Sequence, residues 1–176
     1  MRIDRPAAGE YAPYFERYVS RVPEAYALPI LERQRAEVRA AFEGIPEAKG
    51  GHRYAPGKWS LRELLGHVTD TERIFAYRAL CIARGETAPL PGFEQDPYVA
   101  NAGHDRWTLA ELLEDFDAVR GTNLAMLSHL DEAAVRRIGT SSGHATSVRA
   151  IAYILAGHVR HHLGVLAEKY GVSPAS

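Results

Sequence analysis

The sequence predicts an all-α fold, a four-helix bundle with a long crossover between the second and third helices. Three observations lead there. Four long segments carry apolar residues at helical spacings, and the second and third each open on a capping signature. Between those two, residues 85–107 are rich in Pro and Gly and far longer than the 2–8 residues usual between bundle helices. No convincing strand alternation, internal repeat or low-complexity tract interrupts the pattern. The whole chain, 1–176, reads as one domain with its core over about 25–171.

The first segment covers about 10–43, and Pro23 and Pro29 are expected to divide it into a short lead helix and a longer one. Ile30, Leu31, Val38 and Phe42 give the longer part an apolar face, and Gly44-Ile45-Pro46 ends it. In the second segment Ser60 and Glu63 form a capping box, and Leu61, Leu64, Leu65, Val68, Phe75 and Ile82 carry the stripe to about Arg84. A second box, Thr108 with Glu111, opens the third helix, expected to reach about Leu130. Residues 131–146 read as a polar turn region. Thr146 or Ser147 then caps a last helix ending near Tyr170, before Gly171. Four amphipathic helices in one domain bury their stripes as a bundle, and a crossover can set the second and fourth side by side.

Composition excludes several classes. Lys and Arg total 21 against 22 acids, so no basic excess points to nucleic acid or an anionic membrane. No apolar run approaches the roughly 18 residues of a membrane span, and the start lacks the apolar stretch of a secretory signal. One cysteine, Cys81, forms no internal disulfide, which suits a cytoplasmic protein. Eight histidines stand out.

The last helix places two of them where leucines would be the default. At ~100° per residue, Ile151, Leu155, His158, His162 and Val165 share an arc of roughly 80°. His158 and His162 are one turn apart on that stripe, the spacing by which a helix offers two imidazoles to one metal ion. The alternative for such residues is a hydrogen-bonded structural role in the core. His67 lies beside the stripe of the second helix, and a bundle can bring it opposite the pair. Three neutral imidazoles leave a tetrahedral ion one open position, the arrangement of a catalytic site. His161 falls at the edge of the stripe, where it either supports the other rings or takes a solvated or inter-helix position, the commoner fate. His52, His104, His129 and His144 fall in loops or at a helix end and read as surface.

The set Lys58-Trp59-Ser60-x-x-Glu63-x-x-x-His67 with Glu72, followed by Ser147-x-Arg149-Ala150 and Ala156-Gly157-His158-x-x-His161-His162, resembles the DinB/YfiT-like superfamily. The match runs from about 25 to 171 and takes in Pro89-Leu90-Pro91-Gly92-Phe93-Glu94. The resemblance implies a four-helix bundle with the crossover and a divalent metal held by His67, His158 and His162. Zinc or nickel is expected first and iron next, the choice depending on supply as well as ligands. Some members of the family are metal-dependent hydrolases. Others are thiol S-transferases using a low-molecular-weight thiol such as bacillithiol or mycothiol, or thiol-dependent isomerases. The expectation is therefore a hydrolase with a small-molecule substrate, the alternative a thiol S-transferase, and a non-catalytic bundle the third reading. Relatives commonly form homodimers.

Around the histidines, Glu63 is a candidate contact for His67, although the capping box already explains it. Thr71 and Arg78 continue the His67 side of the helix. Arg78 could meet an anionic substrate, while a salt bridge is the commoner fate of such a residue. Asp70 and Glu72 turn away from His67 and are not nominated as bases. Trp59 suits a hydrophobic staple. Tyr153 is expected to pack, and Ala150, Gly157 and Gly164 to allow close helix approach. Cys81 is given a buried structural role. The 85–107 linker, with Phe93, Asp96, Tyr98 and Trp107, is expected to roof the pocket.

Overall fold

A computed structural model describes residues 2–172. After a 3-10 turn at Pro13–Phe15, helix α1 spans Glu16–Val19 and α2 spans Ala27–Glu43. Pro23 lies in the break between them. Pro29, expected at the division, instead sits inside the first turn of α2, where a missing N–H leaves no bond unmade.

Helix α3, Leu61–Ala83, starts at the expected capping box: Ser60 Oγ accepts from Glu63 N–H at 3.1 Å and Glu63 Oε2 accepts from Ser60 N–H at 2.7 Å. The crossover is more ordered than its composition implies. It holds α4, Gln95–Ala102, and a 3-10 turn at His104–Arg106. Helix α5, Leu109–Ser128, begins at the Thr108–Glu111 box. The supposed turn region contains α6, Glu132–Arg136, and an antiparallel hairpin of β1, Ile138–Ser141, and β2, His144–Ser147. Its two-residue turn, Ser142-Gly143, has positive φ at both positions, as a tight hairpin requires. Each strand has four residues, too short for alternation to stand out in the sequence. Ser147 then caps α7, Val148–Tyr170, accepting from Ala150 N–H at 3.0 Å.

The bundle is formed by α2, α3, α5 and α7. Helix α3 packs on α5 and α7, and so does α2, which leaves α2 and α3 diagonal to each other. The starts of α3 and α5 lie together, since Ser60 Oγ donates to Asp105 Oδ1 at 2.8 Å just ahead of the Thr108 cap. These two helices therefore run parallel, and the crossover must carry the chain back along the bundle. Helix α7 runs against α3, with Tyr170 Oη donating to Trp59 O at 2.6 Å at one end. The second and fourth helices are thus side by side, as the long linker predicts. Among the described residues no helix is long and apolar enough to cross a membrane.

A polar layer divides the core. One apolar half contains Leu31, Phe75, Leu127 and Ile151; the other contains Val38, Leu65, Phe116 and Val159. Between them Arg120, fully buried, donates Nε and Nη2 to Glu72 at 3.0 and 2.7 Å and Nη1 to Leu31 O and Gln34 Oε1 at 2.9 and 3.0 Å. Asn123 Nδ2 donates to Glu72 Oε2 at 3.0 Å, and Gln34 Nε2 to Ala156 O at 2.7 Å. All four helices join this layer, and each charge in it is paired, the condition for burying ions at tolerable cost.

Candidate metal centre

His67 projects from α3 two turns after its cap, and His158 and His162 from successive turns of α7. The antiparallel contact of the two helices brings the three rings together. His158 Nε2 lies 3.1 Å from His67 Nε2 and 3.1 Å from His162 Nε2. One ligand atom from each ring falls within 4.8 Å of the others, and this is the one such group of three metal-ligating residues among the described residues. His67 and His158 are buried and His162 is partly exposed.

Hydrogen bonding among the rings cannot satisfy this arrangement. A neutral imidazole nitrogen that accepts has one lone pair, so His158 Nε2 can accept from only one of its two neighbours. A cation can engage all three. Metal–nitrogen bonds of ~2.0–2.1 Å in tetrahedral geometry set nitrogens about 3.3 Å apart, close to the spacing found here. The rings also suit a cation in protonation. Burial, and then His104 and His161, holds the His67 pKa down at about 4. Burial, then the neighbouring imidazoles, pushes those of His158 and His162 well below the ordinary value. All three imidazoles are neutral at neutral pH, the form in which a ring nitrogen can ligate a cation. The Nδ1 atoms of His158 and His162 are buried without partners, so no carboxylate or carbonyl orients these two rings through hydrogen bonds.

Aromatic packing takes on that task. The Trp59 ring lies 4.6 Å from that of His67 and 6.4 Å, nearly parallel, from that of His162. Trp59 is thus a wall of the site rather than only a staple. The Tyr18 ring of α1 meets His158 edge-on at 5.3 Å. Gly157 makes this approach possible, because a Cβ there would overlap the Tyr18 carbonyl. Close packing does not extend along the whole small-residue stripe, since a Cβ on Gly164 would meet nothing.

Two clefts open on the histidines. The larger, about 700 Å³, is walled by Trp59, Glu63, His162 and Tyr170. The smaller, about 430 Å³, contains His67, His158, Thr71 and Arg78. Gln95 and Asp96 of α4 border both. The crossover therefore roofs the site as expected, through Phe93 and Asp96. Tyr98 and Trp107 are exposed and border neither cleft.

The remaining candidates divide. Glu63 makes no hydrogen bond to His67; its carboxylate is held by Ser60 N–H and Arg53, and these contacts outweigh burial to keep its pKa below the usual range. His161 is half-buried, 4.9 Å from the His162 ring, and outside the converging group. Thr71 and Arg78 are both buried in the smaller cleft. Tyr153 packs as expected, its hydroxyl donating to Glu24 O at 2.9 Å. Cys81 is partly rather than fully buried.

His104 departs from the surface reading. It is buried against α3, where any Cβ on Gly66 would overlap its ring, and its Nε2 lies 3.5 Å from Asp70. The polar layer likewise lies outside the sequence expectations. Its signal was present, because Gln34 is spaced four residues from both Ile30 and Val38, and Arg120 four from Phe116 and seven from Leu127.

Fold and site together define a class: helical bundles with a histidine centre set between neighbouring helices. The chain belongs to the DinB superfamily, whose family model matches residues 30–166. Among solved structures it is similar to YfiT from Bacillus subtilis, described as a probable metal-dependent hydrolase with an unusual four-helix bundle topology. The TM-score is 0.73 at 15% identity, covering 97% of this chain and 95% of that one. It is also similar to a mycothiol-dependent maleylpyruvate isomerase, with a TM-score of 0.68 at 14% identity. That alignment covers 85% of this chain and 61% of the isomerase, so the chain spans about three-fifths of the larger protein. At these identities the likeness is one of fold. No curated protein matches the sequence significantly.

Proposed function

We propose that this protein is a divalent-metal-dependent enzyme, a hydrolase of small molecules, with His67, His158 and His162 as the metal ligands. The observation that carries the reading is the convergence of three neutral imidazole nitrogens at the meeting of two clefts. His67, His158 and His162 would hold a divalent ion there, and the ion would supply the Lewis acidity that makes water nucleophilic near neutral pH. The chain's own residues shape the surroundings. Trp59 and Tyr18 fix the rings by packing, and Phe93 with Gln95 and Asp96 of α4 lines the cleft beside them. The ligand set is all nitrogen, which suits zinc or nickel and then iron. A cytoplasmic homodimer remains part of this reading.

Elemental analysis of protein purified without a His tag tests it. About one divalent ion per chain is expected, lost in His158→Ala because two imidazoles make a far weaker site. Unchanged metal content in that variant would overturn the assignment.

The presence of two clefts favours a second reading, a thiol S-transferase: one compartment can take a low-molecular-weight thiol and the other its electrophile. The similarity to a mycothiol-dependent isomerase is consistent with it. Metal-dependent conjugation in a panel of thiols would support transfer, and cleavage without any thiol would support hydrolysis.

A further inference from the structure

Among the described residues no carboxylate forms an ion pair with Arg78, although its exposure is only 3%. A guanidinium buried so deeply is ordinarily paired, as Arg120 is by Glu72 in the next layer. Arg78 instead donates Nη2 to Pro91 O at 2.7 Å and lies against two rings, 4.8 Å from Phe75 and 5.7 Å from Phe93. These contacts orient the fork without neutralising it. Burial pulls its pKa down, yet a guanidinium stays protonated at any physiological pH.

A second unanswered group shares the same cleft. Thr71 is 3% exposed and its Oγ1 is buried without a partner. Threonines in helices commonly bond back to the carbonyl four residues earlier, and Thr69 does so to Leu65 O at 3.1 Å. Thr71 does not, so its hydroxyl is free for an occupant. His67, Thr71, Phe75 and Arg78 fall within roughly 80° of arc on α3, and His67 to Arg78 spans ~16 Å along the axis. The cleft is therefore elongated: imidazoles at one end, a buried cation at the other, aromatic rings beside it.

We propose that this smaller cleft selects substrates bearing a carboxylate, received by Arg78, with Thr71 as a second hydrogen-bonding group nearer the histidines. The occupant would lay an apolar or aromatic body along Phe75 and Phe93 and present its reacting bond to His67 and His158. A carboxylate fits better than a phosphate dianion, because Glu94 and Asp96 line other parts of the same cleft and its lining holds a single cation. The proposal rests on the reading of the histidines as the reacting end.

Its test is calorimetric titration of the protein as purified with benzoate, phenylacetate, 3-phenylpropionate and 4-phenylbutyrate, each against its carboxamide. At least one carboxylate is expected to bind about 10- to 100-fold tighter than its amide, as a charge-assisted contact to a buried group implies. Arg78→Gln should abolish that preference, and Thr71→Val should weaken the carboxylate by a smaller factor. No preference for any carboxylate overturns the proposal. So does a preference that survives in Arg78→Gln, since the anion would then sit on the metal or elsewhere. If Arg78→Gln does not fold, the wild-type comparison and Thr71→Val decide. Metal content, measured on the same samples, separates the two readings. Arg78-dependent preference in a protein without metal leaves this proposal standing and removes the metal, whereas full metal occupancy without preference does the reverse.

Discussion

His158 is the residue on which the site turns, because its Nε2 faces both other imidazoles and its ring is packed by Tyr18. Its depressed pKa and those of His67 and His162 carry a stability consequence in metal-free protein. Above the ordinary histidine pKa of 6.5 the three are neutral in both folded and unfolded chains, and their contribution is fully present. As pH falls below 6.5 the unfolded chain binds protons that the folded one refuses, so stability declines. The His67 share is lost as pH passes through about 4, and the other two continue lower. The thermal midpoint of metal-free protein should therefore drop between pH 6.5 and 5, above the range where carboxylates titrate. A flat midpoint in calorimetry over that window would contradict the burial of these rings as neutral groups.

Between elements, the decisive contacts are those that set the height and closeness of the helices around the histidines. Arg120 donates to α2 and α3 at once from α5, so its bonds are all made in a single register of the three helices. The short α1 reaches the site only because Gly157 gives its backbone room against α7. Gly157→Ala is expected to cost about 1–3 kcal/mol, the usual range for overpacking. It should also push Tyr18 off His158. Denaturant midpoints and the near-ultraviolet signal of the tyrosines measure the two effects. Wild-type stability in that variant would show that α1 does not pack this closely.

For the molecule as a whole, a bound ion would join two halves of the bundle, since its ligands come from α3 and α7. An ion present at 100 times its dissociation constant stabilises the folded state by about 2.7 kcal/mol. In a chain of this size that corresponds to a thermal midpoint lowered by roughly 5–10 °C on chelation. Scanning fluorimetry with EDTA, then with zinc restored, should show the fall and its recovery. A midpoint indifferent to both would favour a metal-free bundle with structural histidines.

Much of this was legible in the sequence. The two capping boxes placed the starts of α3 and α5, and apolar spacing placed the four long helices and put His158 and His162 on a buried stripe. Such features are local, set by backbone periodicity and by hydrogen bonds three residues apart. The parallel run of α3 and α5, the hairpin before α7, and the burial of His104 against Gly66 were not legible, because each depends on partners far away in the chain. The same is true at the site. Sequence alone selected His67, His158 and His162 as one set. Only the tertiary structure brought the His158 nitrogen to 3.1 Å from each of the other two, laid Trp59 against His67 and His162, and left Arg78 buried without an ion pair. Periodicity fixes which face of a helix a residue occupies, but the packing of one helix on another decides what that face meets.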